Sequence, residues 1–327
     1  TDALTKAGDL AAARKPPTPD EVKELVADAA KGDPARGELV YRRKELQCLA
    51  CHAVGGAGGQ VGPDFTSIGA SAQRDYLVES LLLPNKAVKE GYNAIRVVTL
   101  DDKVYLGIKV REVNGQLVLR TPEDKEVTIP VKDIAERADT KSIMPEGLTD
   151  SLTKQEFADL TRFLSELGKV GGAYAPNKAR LVRRWQVIDA SGENLNLFRR
   201  VRVSAAAEPD AAFAWSPAYS LVSGDLPVAA LPKFSVWANT ADQSVVRFAL
   251  DVTTAGAAKL KFNSVNGLSV FVGPTPVEAK PETVLDLKAG VQTVTLVIDR
   301  SKRTEDLRVE LDDAPGSPAR VAVVGGK

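Results

Sequence analysis

Apolar residues recur at the spacing of an α-helix in four stretches of the first half of the chain. Two of these stretches open on a capping box, at Thr18–Glu21 and Thr153–Glu156, and two end at a helix breaker, Pro84 or Gly168. The predicted helices cover about 18–31, 33 to the cysteine at 48, 72–83 and 153–167. The pattern indicates a helical lead-in over residues 1–32 and a mainly helical domain over 33–168.

The periodicity changes from helical to alternating at about residue 94. Short alternating runs follow one another to about residue 131 and are separated by the turn pairs Asp101-Asp102, Asn114-Gly115 and Glu123-Asp124. We expect a small antiparallel β insert over about 94–131, placed within the helical domain.

Beyond residue 180 nearly every apolar run has the pattern of a strand. A Gly-rich and Pro-containing segment precedes it, so residues 169–179 are predicted to be a linker. The predicted strands are Trp185–Ile188, Arg200–Ser204, Phe234–Ala238, Val245–Thr253, Ala258–Phe262, Leu268–Val272, Thr283–Leu287, Gln292–Ile298, Leu307–Leu311 and Ala319–Val324. The fold class expected is therefore multidomain α+β, in which an all-β sandwich over 180–327 follows the mainly α domain.

Charge and hydropathy exclude several classes of partner. Lys plus Arg and Asp plus Glu both number 43, which argues against electrostatic binding to nucleic acid or to an acidic membrane. No stretch reaches the roughly 18 consecutive apolar residues of a transmembrane helix. The chain begins without Met or a signal peptide, so we expect either an exported mature protein or a piece of a longer chain.

The chain has two Cys, one His and one Met, and three of these four residues form the motif Cys48-Leu49-Ala50-Cys51-His52. This C-x-x-C-H pattern is the attachment signature of a c-type haem: two thiols add to the haem vinyl groups, and the following His ligates the iron. The sequence thus predicts one covalent haem c on Cys48 and Cys51, with His52 as an axial ligand.

Other interpretations of the motif fit less well. A structural zinc site needs four Cys or His ligands, and the chain has three such residues. A thioredoxin-like dithiol would be expected to open a helix in an α/β context, whereas this motif ends one and precedes a Gly-rich loop. A disulfide between Cys48 and Cys51 would close too short a loop to constrain much.

Met144 is the candidate for the second axial ligand. A methionine is commonly a gap-filling core residue, but Met144 lies in the Pro- and Gly-containing segment Ser142–Gly147 and not on a periodic apolar face. Because the chain offers no other His and no spare Cys, Met144 is predicted to bind the iron together with His52.

Residues 33–168 resemble a mono-haem c-type cytochrome of type I, and more narrowly the planctomycete-type haem-binding domains of large periplasmic dehydrogenase-like proteins. The matching segments are C-L-A-C-H, V-G-P-D-F at 61–65, E-S-L-L-L-P at 79–84, S-I-M-P-E-G-L at 142–148 and L-T-K-Q-E-F-A-D-L-T-R-F-L at 152–164. The resemblance implies a mainly α cytochrome c domain in which the first and last helices cross at Gly37.

The resemblance also assigns roles to two further residues. It implies that the carbonyl of Pro63 accepts a hydrogen bond from the His52 ring, although Pro63 can also be a simple loop breaker. Tyr92, at the edge of the insert, is a candidate contact for a haem propionate or, alternatively, a core residue.

The second domain is similar in pattern to galactose-binding-like sandwiches of the jelly-roll type. All three tryptophans, Trp185, Trp215 and Trp237, fall in it and suit either a core or a carbohydrate platform. The sequence identifies no binding site there.

The function expected is periplasmic electron transfer through a His/Met-ligated haem c, without catalysis. The expected partners are a dehydrogenase-like donor or parent chain and a downstream electron acceptor, with partner or carbohydrate binding by the sandwich and no nucleic acid or membrane span. The alternative is a haem enzyme or gas sensor with a labile Met ligand. The periplasm is expected because bacteria attach haem c on that side of the membrane.

Overall fold

The computed structural model describes residues 17–175, 179–201, 203–208, 212–237 and 240–324. Much of the predicted lead-in, residues 1–16, and part of the predicted linker, residues 176–178, lie outside this range. The chain divides into two compact units, the first formed by Thr1–Ala53 with Gly58–Pro176 and the second by Val54–Ala57 with Asn177–Lys327.

Three helices of the first unit start at a residue whose side chain caps the first turn. Thr18 and Thr153 each form a complete capping box, as predicted, and the Asp33 side chain accepts from the amides of Ala35 and Arg36. The helices are α1 (Pro19–Ala29), α2 (Pro34–Tyr41), α3 (Cys48–Cys51), α4 (Ile68–Ser71), α5 (Arg74–Leu82) and α6 (Lys154–Glu166), with short 3₁₀ turns at Lys44–Leu46 and Val131–Asp133.

Helices α2 and α6 cross in close contact. A Cβ on Gly37 would meet the backbone carbonyl of Asp159 and would lie 2.7 Å from the Cβ of Phe163, so only glycine fits at this crossing. The buried Asp159 carboxylate accepts from Arg36 Nε at 2.7 Å and from the amide of Asp33 at 2.7 Å. One acidic side chain on α6 thereby anchors the start of α2.

A five-stranded antiparallel sheet interrupts these helices. Its strands lie in the order β4-β3-β2-β1-β5, and Ile95, Val97, Leu117, Leu119 and Ile129 form its buried face. The strands are β1 (Ala94–Thr99), β2 (Val104–Val113), β3 (Gln116–Arg120), β4 (Glu126–Pro130) and β5 (Ile134–Asp139).

The expectation of a mainly α first domain is wrong, and with it the predicted fold class. Strands contain 34% of the described residues and helices 24%, and the sheet runs to Asp139 instead of ending near residue 131. The prediction missed β5 because its sequence has no apolar alternation: after Ile134 every residue of the strand is exposed. Backbone pairing with β1, Ile95 opposite Asp139 and Val97 opposite Arg137, holds β5 in place.

The second unit consists of two antiparallel sheets with a shared core. The order is β13-β10-β15-β6 in one sheet and β12-β11-β14-β9-β7-β8 in the other, where β16 also pairs with β9. Leu260, Leu285 and Leu311 from the smaller sheet pack in one cluster with Phe248 and Leu296 from the larger. The strands are β6 (Arg180–Leu181), β7 (Arg184–Ile188), β8 (Trp215–Tyr219), β9 (Gln243–Thr254), β10 (Gly256–Phe262), β11 (Leu268–Val272), β12 (Thr275–Val277), β13 (Glu282–Leu287), β14 (Gly290–Asp299), β15 (Val309–Asp313) and β16 (Arg320–Val323).

Two predicted strands of this unit are wrong. Phe234–Ala238 is not a strand, since among its described residues only Phe234 pairs, in an isolated bridge with Gln243. The other is Arg200–Ser204. Helix α7 (Gly192–Arg200) occupies the start of that segment, and its N-terminal amide at Asn194 is capped by the Ser191 hydroxyl. Phe198 on this helix packs on Phe234 with ring centroids 4.5 Å apart. Phe198 and Phe234 belong to a second apolar cluster, on the outer side of the larger sheet. Packing of α7 into this cluster determines the structure here, although residues 200–204 alternate like a strand.

Candidate functional site

The two cysteines lie on a single helical turn. Gln47 enters it in the left-handed conformation with φ of 52°, and the amide of His52 donates to the Cys48 carbonyl at 2.8 Å. The Cys48 Sγ is within 3.6 Å of the Leu46 carbonyl oxygen, and both cysteines are free thiols. This turn presents both thiols and the imidazole that follows them to one pocket.

The His52 imidazole is fixed from several sides. Its Nδ1 lies 2.8 Å from the Pro63 carbonyl oxygen, and because a carbonyl can only accept, Nδ1 is the protonated nitrogen. The Phe65 ring stacks on the imidazole with centroids 4.0 Å apart and an angle of 14° between the planes. A Cβ on Gly62 would lie 2.5 Å from Nδ1, so the backbone at Gly62 packs directly against the ring.

Backbone hydrogen bonds join residues 51–53, at the end of the cysteine turn, to the loop of residues 62–65. The amide of Gly62 donates to the Cys51 carbonyl and that of Phe65 to the Ala53 carbonyl, both at 2.8 Å. The hydroxyl of Tyr41, a fully buried residue of α2, donates to the His52 carbonyl at 2.5 Å. The loop that carries Pro63 is therefore tied to the cysteine turn, and His52 at the end of that turn is tied to α2.

Burial keeps the candidate ligands in their neutral forms at pH 7. It lowers the pKa of His52 below its ordinary value of 6.5, against the opposing effect of the hydrogen bond to Pro63. It raises the pKa of the Cys48 thiol to about 11 and also raises that of Cys51. With Nδ1 protonated in a neutral ring, the lone pair of Nε2 is available to a metal ion.

All six predicted site residues, Cys48, Cys51, His52, Pro63, Met144 and Tyr92, line the same pocket in the first unit. The remainder of its lining is mainly apolar and includes Ile68, Leu77, Leu81, Leu160 and Leu164.

Met144 is half-buried in a loop that a neighbouring asparagine organises. The Ser142 amide donates to the Asn85 Oδ1 at 2.9 Å, and the Met144 amide donates to the Ser142 hydroxyl at 3.2 Å. The Asn85 amide group also donates to Glu146. Asn85 therefore holds the loop on both sides of Met144.

The polar groups of the pocket include Tyr76, Lys89 and Tyr92. Tyr92 is half-buried, and the ammonium group of Lys89 lies 5.9 Å from the centroid of its ring. A phenol beside an ammonium group is a suitable contact for a carboxylate such as a haem propionate.

The sequence analysis did not identify the contact of Gly62 with His52, the stacking of Phe65, the hydrogen bond from Tyr41 to the His52 carbonyl or the role of Asn85. Three of these residues lie in or next to segments that carry the resemblance: Gly62 and Phe65 in V-G-P-D-F, and Asn85 directly after E-S-L-L-L-P. For these three residues that position was the one signal in the sequence. Stacking on a ring and capping of a distant loop depend on tertiary placement, which no local pattern specifies.

The donor set fits a haem c. Two thiols separated by one helical turn, a neutral imidazole with a free Nε2 and a thioether all line a pocket of mainly apolar character.

Two further findings concern other kinds of site. Within the described residues, no three His, Cys, Asp or Glu side chains are grouped so as to hold a metal ion among themselves. None of the helices in that part of the chain has the length and apolar character needed to cross a membrane.

No protein-family model matches this chain, and the ligand of the pocket is therefore inferred from the residues that line it.

Proposed function

We propose that the first unit binds one haem c, that Cys48 and Cys51 would hold it covalently and His52 and Met144 would bind its iron, and that the protein transfers single electrons. The observation that supports this most directly is the His52 imidazole, which Pro63, Phe65 and Gly62 orient in a pocket shared with both thiols and Met144. When bound, haem c supplies a one-electron couple between ferric and ferrous iron.

Each residue has a defined task in this proposal. Cys48 and Cys51 supply the thioether bonds that retain the cofactor. His52 offers Nε2, and Pro63 keeps the opposite ring nitrogen protonated and raises the basicity of the ligand. Asn85 positions the loop of Met144, and the apolar side chains of the pocket exclude water, which affects the reduction potential.

Electron transfer is favoured over catalysis by what surrounds the thiols and the imidazole. Among the described residues that line the pocket there is no carboxylate and no second imidazole, the groups that most commonly act as general acid or base. A haem held by both His52 and Met144 would offer no free ligand position to a substrate. The protein is accordingly proposed to be a carrier.

The same chemistry suggests a compartment and two partners. Because haem c is attached outside the bacterial cytoplasm, we place the protein in the periplasm. A dehydrogenase-like donor, or a parent chain carrying such a domain, would deliver electrons, and a second redox protein would accept them.

The test is an absorption spectrum of the chain produced together with a haem c maturation system. We expect a haem that stays with the protein after acid–acetone extraction, a sharp α-band on reduction and a near-infrared Met-to-iron band in the ferric state. Cys48→Ser with Cys51→Ser should abolish covalent attachment, and Met144→Ala should remove the near-infrared band alone. A five-coordinate high-spin spectrum, or immediate CO binding by the unaltered protein, would contradict the carrier and favour a sensor or enzyme.

A further inference from the structure

A second cavity, of about 750 Å³, opens on the outer face of the larger sheet in the second unit. Its volume lies within the roughly 300–1,000 Å³ of pockets that take small-molecule ligands. This groove is separate from the haem pocket in residues and in chemistry, since polar and apolar groups contribute about equally to its lining, which includes two arginines, Arg184 and Arg247.

Strand register places a row of polar side chains across the floor of the groove. Gln186 on β7 is opposite Arg247 on β9, and Arg247 is opposite Thr295 on β14. The neighbours of Arg247 on its own strand, Val246 and Phe248, belong to the core between the sheets. The row therefore faces outward, away from that core.

Arg247 is held rigidly without a carboxylate. Its Nε donates to the Gln186 Oε1 at 2.7 Å, and its guanidinium carbon lies 3.8 Å from the centroid of the Trp215 ring. Within the described chain no acidic side chain pairs with it, and burial lowers its pKa. A partly desolvated cation fixed by stacking is preorganised for an anionic group.

Thr295 supplies an independent indication of a ligand. The residue is 1% exposed and lines the groove, and its hydroxyl has no hydrogen-bond partner among the described residues. A buried hydroxyl without a partner costs free energy, which a ligand hydroxyl or carboxylate could recover.

We propose that this groove binds an acidic saccharide, with Arg247 contacting its carboxylate or sulfate and Thr295 one of its hydroxyls. The amides of Gln186 and Gln292 and the hydroxyl of Thr293, which also line the groove, suit a ligand rich in hydroxyls. Glu208 is the one acidic residue of the described lining, so the two arginines leave the groove with a net positive charge. This proposal is independent of the haem, whose pocket shares no residue with the groove.

Isothermal titration calorimetry of the full chain tests it with four probes. Trigalacturonate and a chondroitin sulfate tetrasaccharide carry the proposed chemistry, maltotriose is the neutral saccharide, and tetraglutamate is an anion without sugar rings. We expect saturable binding of at least one acidic saccharide, roughly tenfold or more tighter than that of maltotriose or tetraglutamate, from the charge-assisted contact.

Three variants locate the binding. Arg247→Gln should weaken it by roughly tenfold or more and Thr295→Val by about fivefold, the effects of losing a charged and a neutral hydrogen bond. Thr295→Val should leave the melting temperature unchanged or slightly raised because the hydroxyl has no partner in the protein, so this variant tests binding even if Arg247→Gln folds poorly. Arg320→Gln, an exposed arginine of β16 outside the groove lining, should bind like the unaltered protein.

The other outcomes would overturn the proposal. Failure of both acidic saccharides to bind excludes the ligand class. Equal affinity for tetraglutamate shows that charge alone is recognised, and equal affinity for maltotriose shows that the arginines are not involved. Binding that survives both Arg247→Gln and Thr295→Val lies elsewhere on the protein.

Discussion

Gly62→Ala tests whether close packing of the loop against His52 determines the stability of the first unit. The new Cβ would lie 2.5 Å from His52 Nδ1 and 2.8 Å from Nε2, distances that no methyl group can adopt. The ring cannot move away freely, since Phe65 stacks on it at 4.0 Å and Pro63 binds Nδ1 at 2.8 Å. Either the hydrogen bond to Pro63 breaks or the loop separates from the cysteine turn.

The expected cost combines two effects. Overpacking in a well-packed site costs about 1–3 kcal/mol, and a lost hydrogen bond about 0.5–1.5 kcal/mol. We therefore expect the free energy of unfolding of the first unit to fall by about 2–4 kcal/mol.

Hydrogen exchange followed by mass spectrometry resolves the two units in the intact chain. Amides of α6 report on the first unit, because Leu160 and Leu164 of that helix line the pocket, whereas amides of β14 report on the second. Tryptophan fluorescence would follow only the second unit, since Trp185, Trp215 and Trp237 all belong to it. The variant should lose protection in α6 and keep it in β14.

The matched control is Gly192→Ala, at the first position of α7. A Cβ there meets no atom within 4 Å, so this variant should keep full protection in both units. If Gly62→Ala behaved like Gly192→Ala, the loop would be free to yield around the imidazole, and the idea that packing fixes the orientation of the ligand would have to be abandoned.

Three further predictions concern an ion pair, a buried cation and the loop of Met144. Burial raises the pKa of Asp159, but its hydrogen bonds, led by that from Arg36, outweigh this and leave the pKa below 3.8. The carboxylate therefore stabilises the first unit above about pH 4, and this stabilisation is lost as the pH falls through the lowered pKa. Acid unfolding of the helices, most of which belong to the first unit in the described part of the chain, can be followed by circular dichroism and should shift to higher pH in Asp159→Asn. This variant should also lose about 1–3 kcal/mol of stability at pH 7. An unshifted acid transition would refute the assignment. The fully buried side chain of Arg303 donates to the carbonyls of Ser264, Glu305 and Asp306. Arg303→Met should lower the free energy of unfolding of the second unit by about 3 kcal/mol, because these acceptors lose their donor. Tryptophan fluorescence in guanidinium measures this change, and an unchanged midpoint would contradict it. In the haem-loaded protein Asn85→Ala should weaken the near-infrared band and admit CO, whereas Asn93→Ala, at an exposed residue, should change neither.

The sequence was most informative where a structure is determined by residues close together. The capping boxes at Thr18 and Thr153 are confirmed because the capping groups lie within three residues of each other. The hydrogen bond between His52 and Pro63 spans eleven residues of one loop and was inferred from a resemblance and not from spacing. The haem, the axial role of Met144 and the periplasmic location remain proposals.

The errors have one physical origin, which is tertiary packing that no local pattern specifies. β5 is exposed and charged, so nothing in its sequence distinguishes it from a loop until β1 offers a free edge. Residues 200–204 alternate like a strand, yet the apolar side chains of the preceding segment pack as helix α7 against the outer cluster of the larger sheet. Thr295 is likewise an ordinary strand residue in the sequence, and only the strand register places it beside Arg247.

The inserted sheet explains how residues far apart in sequence line one pocket. The insert starts at Ala94 and returns to the same place, since the amide of Thr140 donates to the Ala94 carbonyl at 2.8 Å and Ile95 pairs with Asp139. Tyr92 before the sheet and Met144 after it are therefore brought together by the closure of β1 on β5, whatever the length of the hairpins between them. An insert that ended near residue 131 would lack β5 and its pairing with β1. The strand that the sequence analysis missed is therefore also the one that returns the chain to the pocket.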